Sequence, residues 1–154
     1  MLMGVAQTDV RLRQNGSVAR GSADRESITE VIVNLLMNAI TYTPSHGTVT
    51  VRTDADRDSI HLEVSDTGIG IPEGERRRVF EEFYRASHAG TMAPDGMGLG
   101  LSLARQVVEL HGGSIAVLDT EGAGARFHIV LPRAAAERIA EPALVAAPHH
   151  VGVQ

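Results

Sequence analysis

The 154-residue chain contains no cysteine, no tryptophan and not one lysine. Without cysteine it can form neither a disulfide nor a thiolate metal site, a composition that fits a reducing, cytoplasmic compartment. Aromatic residues make up 3% of the chain, so aliphatic side chains must build the core. No apolar run approaches the roughly 20 residues of a membrane-crossing helix. Met1 to Gln7 have neither the basic start nor the apolar stretch of a signal peptide, and no membrane contact by this chain is expected. All 14 basic residues are arginine, so a long cationic contact to an anion must use a guanidinium fork. A net charge of −5 implies no basic face and argues against a non-specific nucleic-acid binder. What remains is ordinary: 43% hydrophobic and 21% charged residues, in a length suited to one domain.

Local patterns order the chain. Val10 to Gln14 and Val18 to Arg20 read as short strands around an Asn15-Gly16 turn. Asp24 is a candidate N-cap for a long helix that Pro44 terminates. Within that helix Ile28, Val31, Ile32, Leu35, Leu36 and Ala39 make one apolar stripe, with Glu30, Asn34, Asn38 and Thr41 on a polar line beside it. Thr48 to Thr53 and Ser59 to Ser65 alternate as a β-hairpin. A glycine loop runs from Asp66 to Pro72, and Glu75 to Tyr84 reads as a short helix docked by Phe80 and Phe83. Ala86 to Gly98 has no periodicity and is expected to be a mobile flap. Leu99 to Leu110 predicts a second core helix with Leu99, Leu103, Val107 and Leu110 facing inward. Ser114 to Leu118 and Arg126 to Leu131 predict a closing hairpin ending at Pro132. Residues 1–132 are thus expected to be one domain, and 133–154 an Ala-, Pro- and His-rich tail, partly disordered.

Three constellations carry chemistry. Asn34 and Asn38, one helical turn apart, can offer amide oxygens to a divalent cation and amide nitrogens to phosphate; a solvated helix face is the plainer alternative. Asp66, ending a strand ahead of Gly68, Gly70, Ile71 and Pro72, can accept from an exocyclic amine while the glycines let a ring lie against backbone. That favours adenine over guanine, whose corresponding group is a carbonyl; a surface turn is the alternative. Gly96, Gly98 and Gly100 run straight into a helix N-terminus through Leu99 and Leu101, a loop that lets backbone N–H groups approach an anion. Arg85 is the candidate fork contact to a terminal phosphate. Arg76-Arg77-Arg78 reads as a solvated basic face or docking patch. Among the histidines, His46 and His61 lack an acidic partner at helical spacing, His111 reads as a helix C-terminal residue, His88 falls in the flap, and His149-His150 lie in the tail.

Taken in order, Asn34-Leu35-Leu36-Met37-Asn38-Ala39-Ile40-Thr41-Tyr42-Thr43-Pro44, Asp66 to Pro72, Phe80 to Arg85, and Gly96 to Leu103 with His111-Gly112-Gly113 resemble the N, G1, F and G2 boxes of sensor histidine kinase catalytic domains. Gly122 to Phe127 with Leu131-Pro132 is similar to the family's closing G3 segment, and the resemblance spans about residues 18 to 132. It implies an α+β fold of the Bergerat type: a two-layer sandwich whose mixed, mostly antiparallel sheet is covered on one face by about three helices, with a mobile ATP lid. It implies a Mg-ATP site with Asn38 as Mg²⁺ ligand, Asn34 and Arg85 as catalytic residues at the phosphates, and Asp66 on the adenine amine. Tyr42, Gly68, Gly70, Ile71, Gly96, Gly98, Leu99, Gly100 and Leu101 would complete that site.

The implied activity is transfer of the γ-phosphate to a histidine. Water-splitting relatives place a Glu where this chain has Asn34, and an amide cannot serve as general base; Glu30, one turn earlier, is a substitute. About twenty residues precede the Asp24 cap, too few for a two-helix hairpin, so the phosphoacceptor is expected on a separate dimeric domain or partner chain. The chain would then be a split kinase or an excised domain, with a response regulator as indirect partner. Thr41 and Ala125 depart from the family's usual Lys/Arg and Ser/Thr, each a loss of roughly 1 kcal/mol of hydrogen bonding. Those departures keep open a nucleotide-sensing module without turnover, and an anti-sigma-factor-type serine kinase is a further alternative.

Overall fold

The computed structural model describes residues 9–14, 24–87, 89–92 and 96–133, and for 9–14, 91 and 92 the backbone alone. The strand expected at Val18 to Arg20, His88, and the tail from 134 onward with His149 and His150 lie outside the described residues.

Helix α1 (Arg25–Thr41) begins where the sequence supplies a cap. Asp24 is extended, and its carboxylate accepts from the Ser27 N–H at 2.8 Å and the Ser27 hydroxyl at 2.5 Å. The stripe of Val31, Leu35 and Ala39 is buried, with Ile28, Ile32 and Leu36 packed beside it. Strands β2 (Thr48–Ala55) and β3 (Ser59–Asp66) form an antiparallel pair that puts Val51 opposite Val64. Their turn is set by Asp56, whose Oδ1 accepts from the N–H groups of Asp58 and Ser59. β5 (Arg126–Pro132) runs antiparallel to β3, pairing Phe127 with Val64 and Ile129 with Leu62. β4 (Ser114–Leu118) lies beside β5 on the sheet edge.

At the opposite edge β1 (Asp9–Gln14) pairs parallel with β2, so α1 is the crossover between two parallel strands. The order β1-β2-β3-β5-β4 is the mixed, mostly antiparallel sheet the sequence implied. Helix α3 (Gly100–Leu110) packs against α1, and both lie on the face carrying Val49, Val64, Phe127 and Ile129; a third helix, α2 (Ala89–Met92), is a single turn. No helix among the described residues is long and apolar enough to cross a membrane.

Three local expectations are corrected. The Glu75 to Tyr84 segment is not an α-helix: it holds two 3₁₀ turns, Glu73–Glu75 and Arg78–Phe80, and the backbone then turns extended at Glu81 and left-handed at Phe83, conformations that end a helix. Phe80 is buried and meets Phe127 edge-on at 6.2 Å, but Phe83 is 70% exposed and sits at φ +60°, a rare backbone state for an aromatic residue. In α3 the inward side is Ser102, Ala104 and Val108, whereas Leu103 and Leu110 face outward. Leu101 and Val107 pack against the core beside Ala104 and Val108, so the inward face is turned away from Leu103 and Leu110 and toward α1.

Candidate functional site

A cavity of about 280 Å³ opens between the C-terminal half of α1, the end of β3, the loop after it, and the start of α3. Its buried anchor is Asp66. Both hydrogen bonds to the side chain fall on one oxygen: Oδ1 accepts the Gly68 N–H at 2.8 Å and the Ala125 N–H at 3.2 Å. Oδ2 accepts none among the described residues, and Asp66 lines the cavity. Burial pushes the carboxyl above the usual carboxylate range, and the two backbone bonds pull it back. The strand end is held as well, since the Asp66 N–H donates to the Ala125 carbonyl at 2.9 Å.

The glycines around Asp66 serve two purposes. Gly124, at φ +103°, lies so close that a Cβ there would overlap the Asp66 carbonyl oxygen. Gly70, at φ +74°, presses on Gly124, its would-be Cβ falling 2.9 Å from the Gly124 carbonyl oxygen. Gly70 and Ile71 line the cavity. Gly68 does not: it packs against the carbonyl of Tyr42, which also accepts the Ile69 N–H at 3.1 Å and so fixes the loop to the end of α1. Gly68 therefore shapes the site through Asp66 and Tyr42.

The opposite wall begins with Tyr84, Arg85, Ala86 and Ala89 and ends with Gly96 to Leu101. Gly98, at φ +72°, receives the Phe83 N–H on its carbonyl at 3.0 Å, which explains why Phe83 adopts its unusual conformation. Helix α3 starts at Gly100 behind Leu99, whose side chain cannot cap it; its first N–H groups, which have no intrahelical partner, belong to residues at the cavity rim. A helix end of this kind is an anion site by electrostatics alone. Arg85 donates to the Ala89 carbonyl at 3.3 Å and lines the same wall.

Of the two α1 amides, Asn38 lines the cavity, while Asn34 lies outside the lining and faces Gly100, 4.0 Å from its would-be Cβ. Glu30, the substitute base, is exposed and also outside the lining. Tyr42, Asp66, Gly70, Ile71, Arg85, Gly96, Gly98, Leu99, Gly100 and Leu101 all meet at the cavity with Asn38. Ala125, Val79 and Phe127 complete its apolar floor; Ala125 and Phe127 come from the Gly122 to Phe127 segment, whereas Val79, in the second 3₁₀ turn, belongs to none of the boxes and is placed there by tertiary packing. Among the described residues no group of three or more histidine and acidic side chains is placed to hold a metal ion.

Elsewhere the charged residues settle into structural roles. Arg76 pairs with Asp119, and Arg78 with Glu81 at 3.8 Å, which makes the arginine triplet less a free basic face than its sequence implied; Arg77 is exposed. His61 does have an acidic partner, Asp56 at 3.0 Å, brought near by the hairpin. His111 caps α3 through Nδ1 to the Val107 carbonyl and accepts the Asp24 N–H on Nε2 at 3.1 Å, tying α3 to the start of α1.

A sequence profile for histidine kinase-, DNA gyrase B- and HSP90-like ATPases matches residues 23–135. The chain belongs to this family. It is 38% identical over 130 residues to the circadian input-output histidine kinase CikA of Synechococcus elongatus, and 39% identical over 111 residues to the sensor histidine kinase WalK of Bacillus subtilis. Those matches cover 84% and 71% of this chain but only 17% and 18% of the relatives, so the chain spans about a fifth of their length. Among solved structures, the mycobacterial sensor histidine kinase MprB superimposes with a TM-score of 0.73 at 34% identity, covering 81% of this chain and 83% of that one. The catalytic domain of histidine kinase ThkA gives a TM-score of 0.71 at 28% identity, over 82% and 80%. The fold is that of a histidine kinase catalytic domain, an ATP-binding fold in this family.

Proposed function

We propose that this chain is the Mg-ATP-binding catalytic module of a two-component histidine kinase, passing the γ-phosphate to a histidine on a separate phosphoacceptor domain or partner chain. The observation that carries it is the asymmetric use of Asp66: one oxygen is spent on the fold, and the other is left at a cavity bounded by glycine backbone. A carboxylate so held accepts an exocyclic amine and repels a carbonyl, which selects adenine. The phosphates would then lie toward the uncapped start of α3, where Gly96, Gly98 and Gly100 admit close approach and Arg85 supplies the guanidinium.

The donor set also suits the metal. Asn38 offers a neutral oxygen ligand in the cavity, and with no acidic cluster among the described residues a Mg²⁺ ion would take its remaining ligands from phosphate and water. When bound, the ion supplies charge neutralisation at the phosphates. What this chain's residues do is positional: α1 presents Asn38 with Asn34 beside Gly100, and α3 offers backbone donors. In the transfer the acceptor imidazole nitrogen forms a bond to the γ-phosphorus, the bond to the bridging oxygen breaks, and ADP leaves. The nucleophile is the histidine itself, so no general base for water is required, in keeping with Asn34 and with the outward position of Glu30.

On this reading residues 1–132 form the catalytic unit and act in the cytoplasm, where ATP is available. A solved complex of ThkA with the response regulator TrrA supports a response regulator as the downstream partner. The test is incubation with γ-labelled ATP, Mg²⁺ and a dimeric phosphoacceptor domain. Acid-labile label on the partner is expected. Acid-stable label would point to serine phosphorylation, and nucleotide binding without transfer would point to a sensing module.

A further inference from the structure

The cavity wall from Tyr84 to Ser87 has no regular secondary structure to hold it, yet Tyr84, Arg85 and Ala86 all line the cavity. A single carboxylate outside the cavity lining gathers this stretch. Glu75, in the 3₁₀ turn after Pro72, accepts the Ser87 hydroxyl on Oε1 at 2.7 Å and the Ser87 N–H on Oε2 at 2.9 Å. Its carboxylate also takes the Tyr84 phenol, whose ring carries the Arg78 guanidinium 4.3 Å from its centre. Burial first, and the bond to Glu75 next, push that phenol above its usual range. Both ends of the wall are thus tied to one side chain, twelve residues from Ser87 in sequence.

We propose that Glu75 is a positioning residue for the nucleotide: by tethering Tyr84 and Ser87 together, it holds Arg85 and Ala86 in place as the wall of the cavity. This rests on reading the cavity as the ATP site. The physical basis is that hydrogen bonds to a carboxylate are stronger than neutral ones, and two of them converge on a segment with no ladder of its own. A wall that must be ordered at the moment of binding charges its conformational entropy to the ligand, whereas a wall already tethered does not. Glu75 also follows Gly70 and Ile71 by only a few residues, so the tether fastens one side of the cavity to the other.

The test uses the full 154-residue chain and its Glu75→Ala, Ser87→Ala and Ser87→Thr variants. Without nucleotide, amide exchange over residues 84–87 should be about tenfold faster in Glu75→Ala, the loss of roughly one charge-assisted bond, while amides in α1 and α3 exchange as in the parent. Mg-ADP titrations should show affinity weakened about five- to tenfold in Glu75→Ala, less in Ser87→Ala, and near parental in Ser87→Thr, which keeps hydroxyl and N–H. Unchanged exchange over 84–87 overturns the tether, and faster exchange with unchanged Mg-ADP affinity overturns the positioning role. If the parent chain binds no Mg-ADP, the nucleotide reading fails and takes this role with it, while the exchange measurement still reports on the tether separately.

Discussion

Asp66 commits one oxygen to the fold and, in the proposed site, offers the other to the base, and substitutions can separate the two. In Asp66→Ala the buried N–H groups of Gly68 and Ala125 lose their acceptor, which costs about 1–3 kcal/mol for each. Asp66→Asn retains an acceptor for both and removes the charge that burial disfavours, so its melting temperature should stay near the parent's. The same variant turns an amide N–H₂ toward the cavity, and ATP affinity should fall by about 2 kcal/mol, roughly 30-fold, in calorimetry. Equal destabilisation of the two variants would refute this division of labour. The His61–His128 pair on the outer sheet face makes a pH prediction. The ring planes are parallel to within 7°, with His61 Nδ1 and His128 Nε2 3.2 Å apart, so the bond between them needs one bare nitrogen. Burial first, and the His61 ring second, hold His128 below the usual imidazole value of 6.5, with Glu63 pulling the other way. The unfolded chain therefore binds this proton first, and stability falls as pH drops below 6.5 towards the lowered folded value. The loss is small because the ring is only partly buried. Melting curves between pH 7.5 and 5 should slope less in His128→Gln than in the parent; an identical slope would assign the effect to other groups.

At the scale of elements, α1 and α3 differ in how plainly their sequences speak. α1 has its large apolar residues on one stripe, a capping Asp24 that accepts from Ser27, and Pro44 just past its end, so every local cue agrees. In α3 the apolar residues Leu101, Leu103, Val107, Val108 and Leu110 spread around the helix, and which side turns inward is decided by where α1 packs, a tertiary fact. Leu35→Ala should accordingly cost about 2–5 kcal/mol in chemical denaturation, as expected for a fully buried leucine. Leu110→Gln, at 85% exposure, should stay within about 0.5 kcal/mol of the parent. A cost above 2 kcal/mol for Leu110→Gln would restore the leucine stripe as the inward one. The glycine boxes were legible because each requires a conformation or an approach that other residues resist. The segment between them was not. Phe80 and Phe83 at helical spacing suggest a docked helix, yet the Phe83 N–H is drawn to Gly98 and its ring to solvent. Nor does any pattern announce a bond between Glu75 and Ser87, since no local spacing encodes a contact across a loop.

Over the whole molecule, the cavity is assembled from segments far apart in the chain: α1, the end of β3, the Tyr84 wall and the start of α3. The unfolded chain holds no such assembly, so a ligand of the cavity binds the folded state alone and raises its stability by mass action. For a dissociation constant of about 100 µM, 1 mM Mg-ATP adds about 1.4 kcal/mol, which in a domain of this size raises the melting temperature by roughly 3–6 °C. GTP at the same concentration should shift it far less, because its carbonyl oxygen would face the Asp66 carboxylate where adenine offers an amine. Chelating the magnesium should shrink the ATP shift if, as proposed, Asn38 and the phosphates share that ion. The arms fail separately. Equal shifts from ATP and GTP would remove Asp66 as the base-reading group and leave a phosphate site at α3. No shift from either nucleotide at 10 mM would mean that the uncapped helix end and the glycine walls enclose something other than a nucleotide.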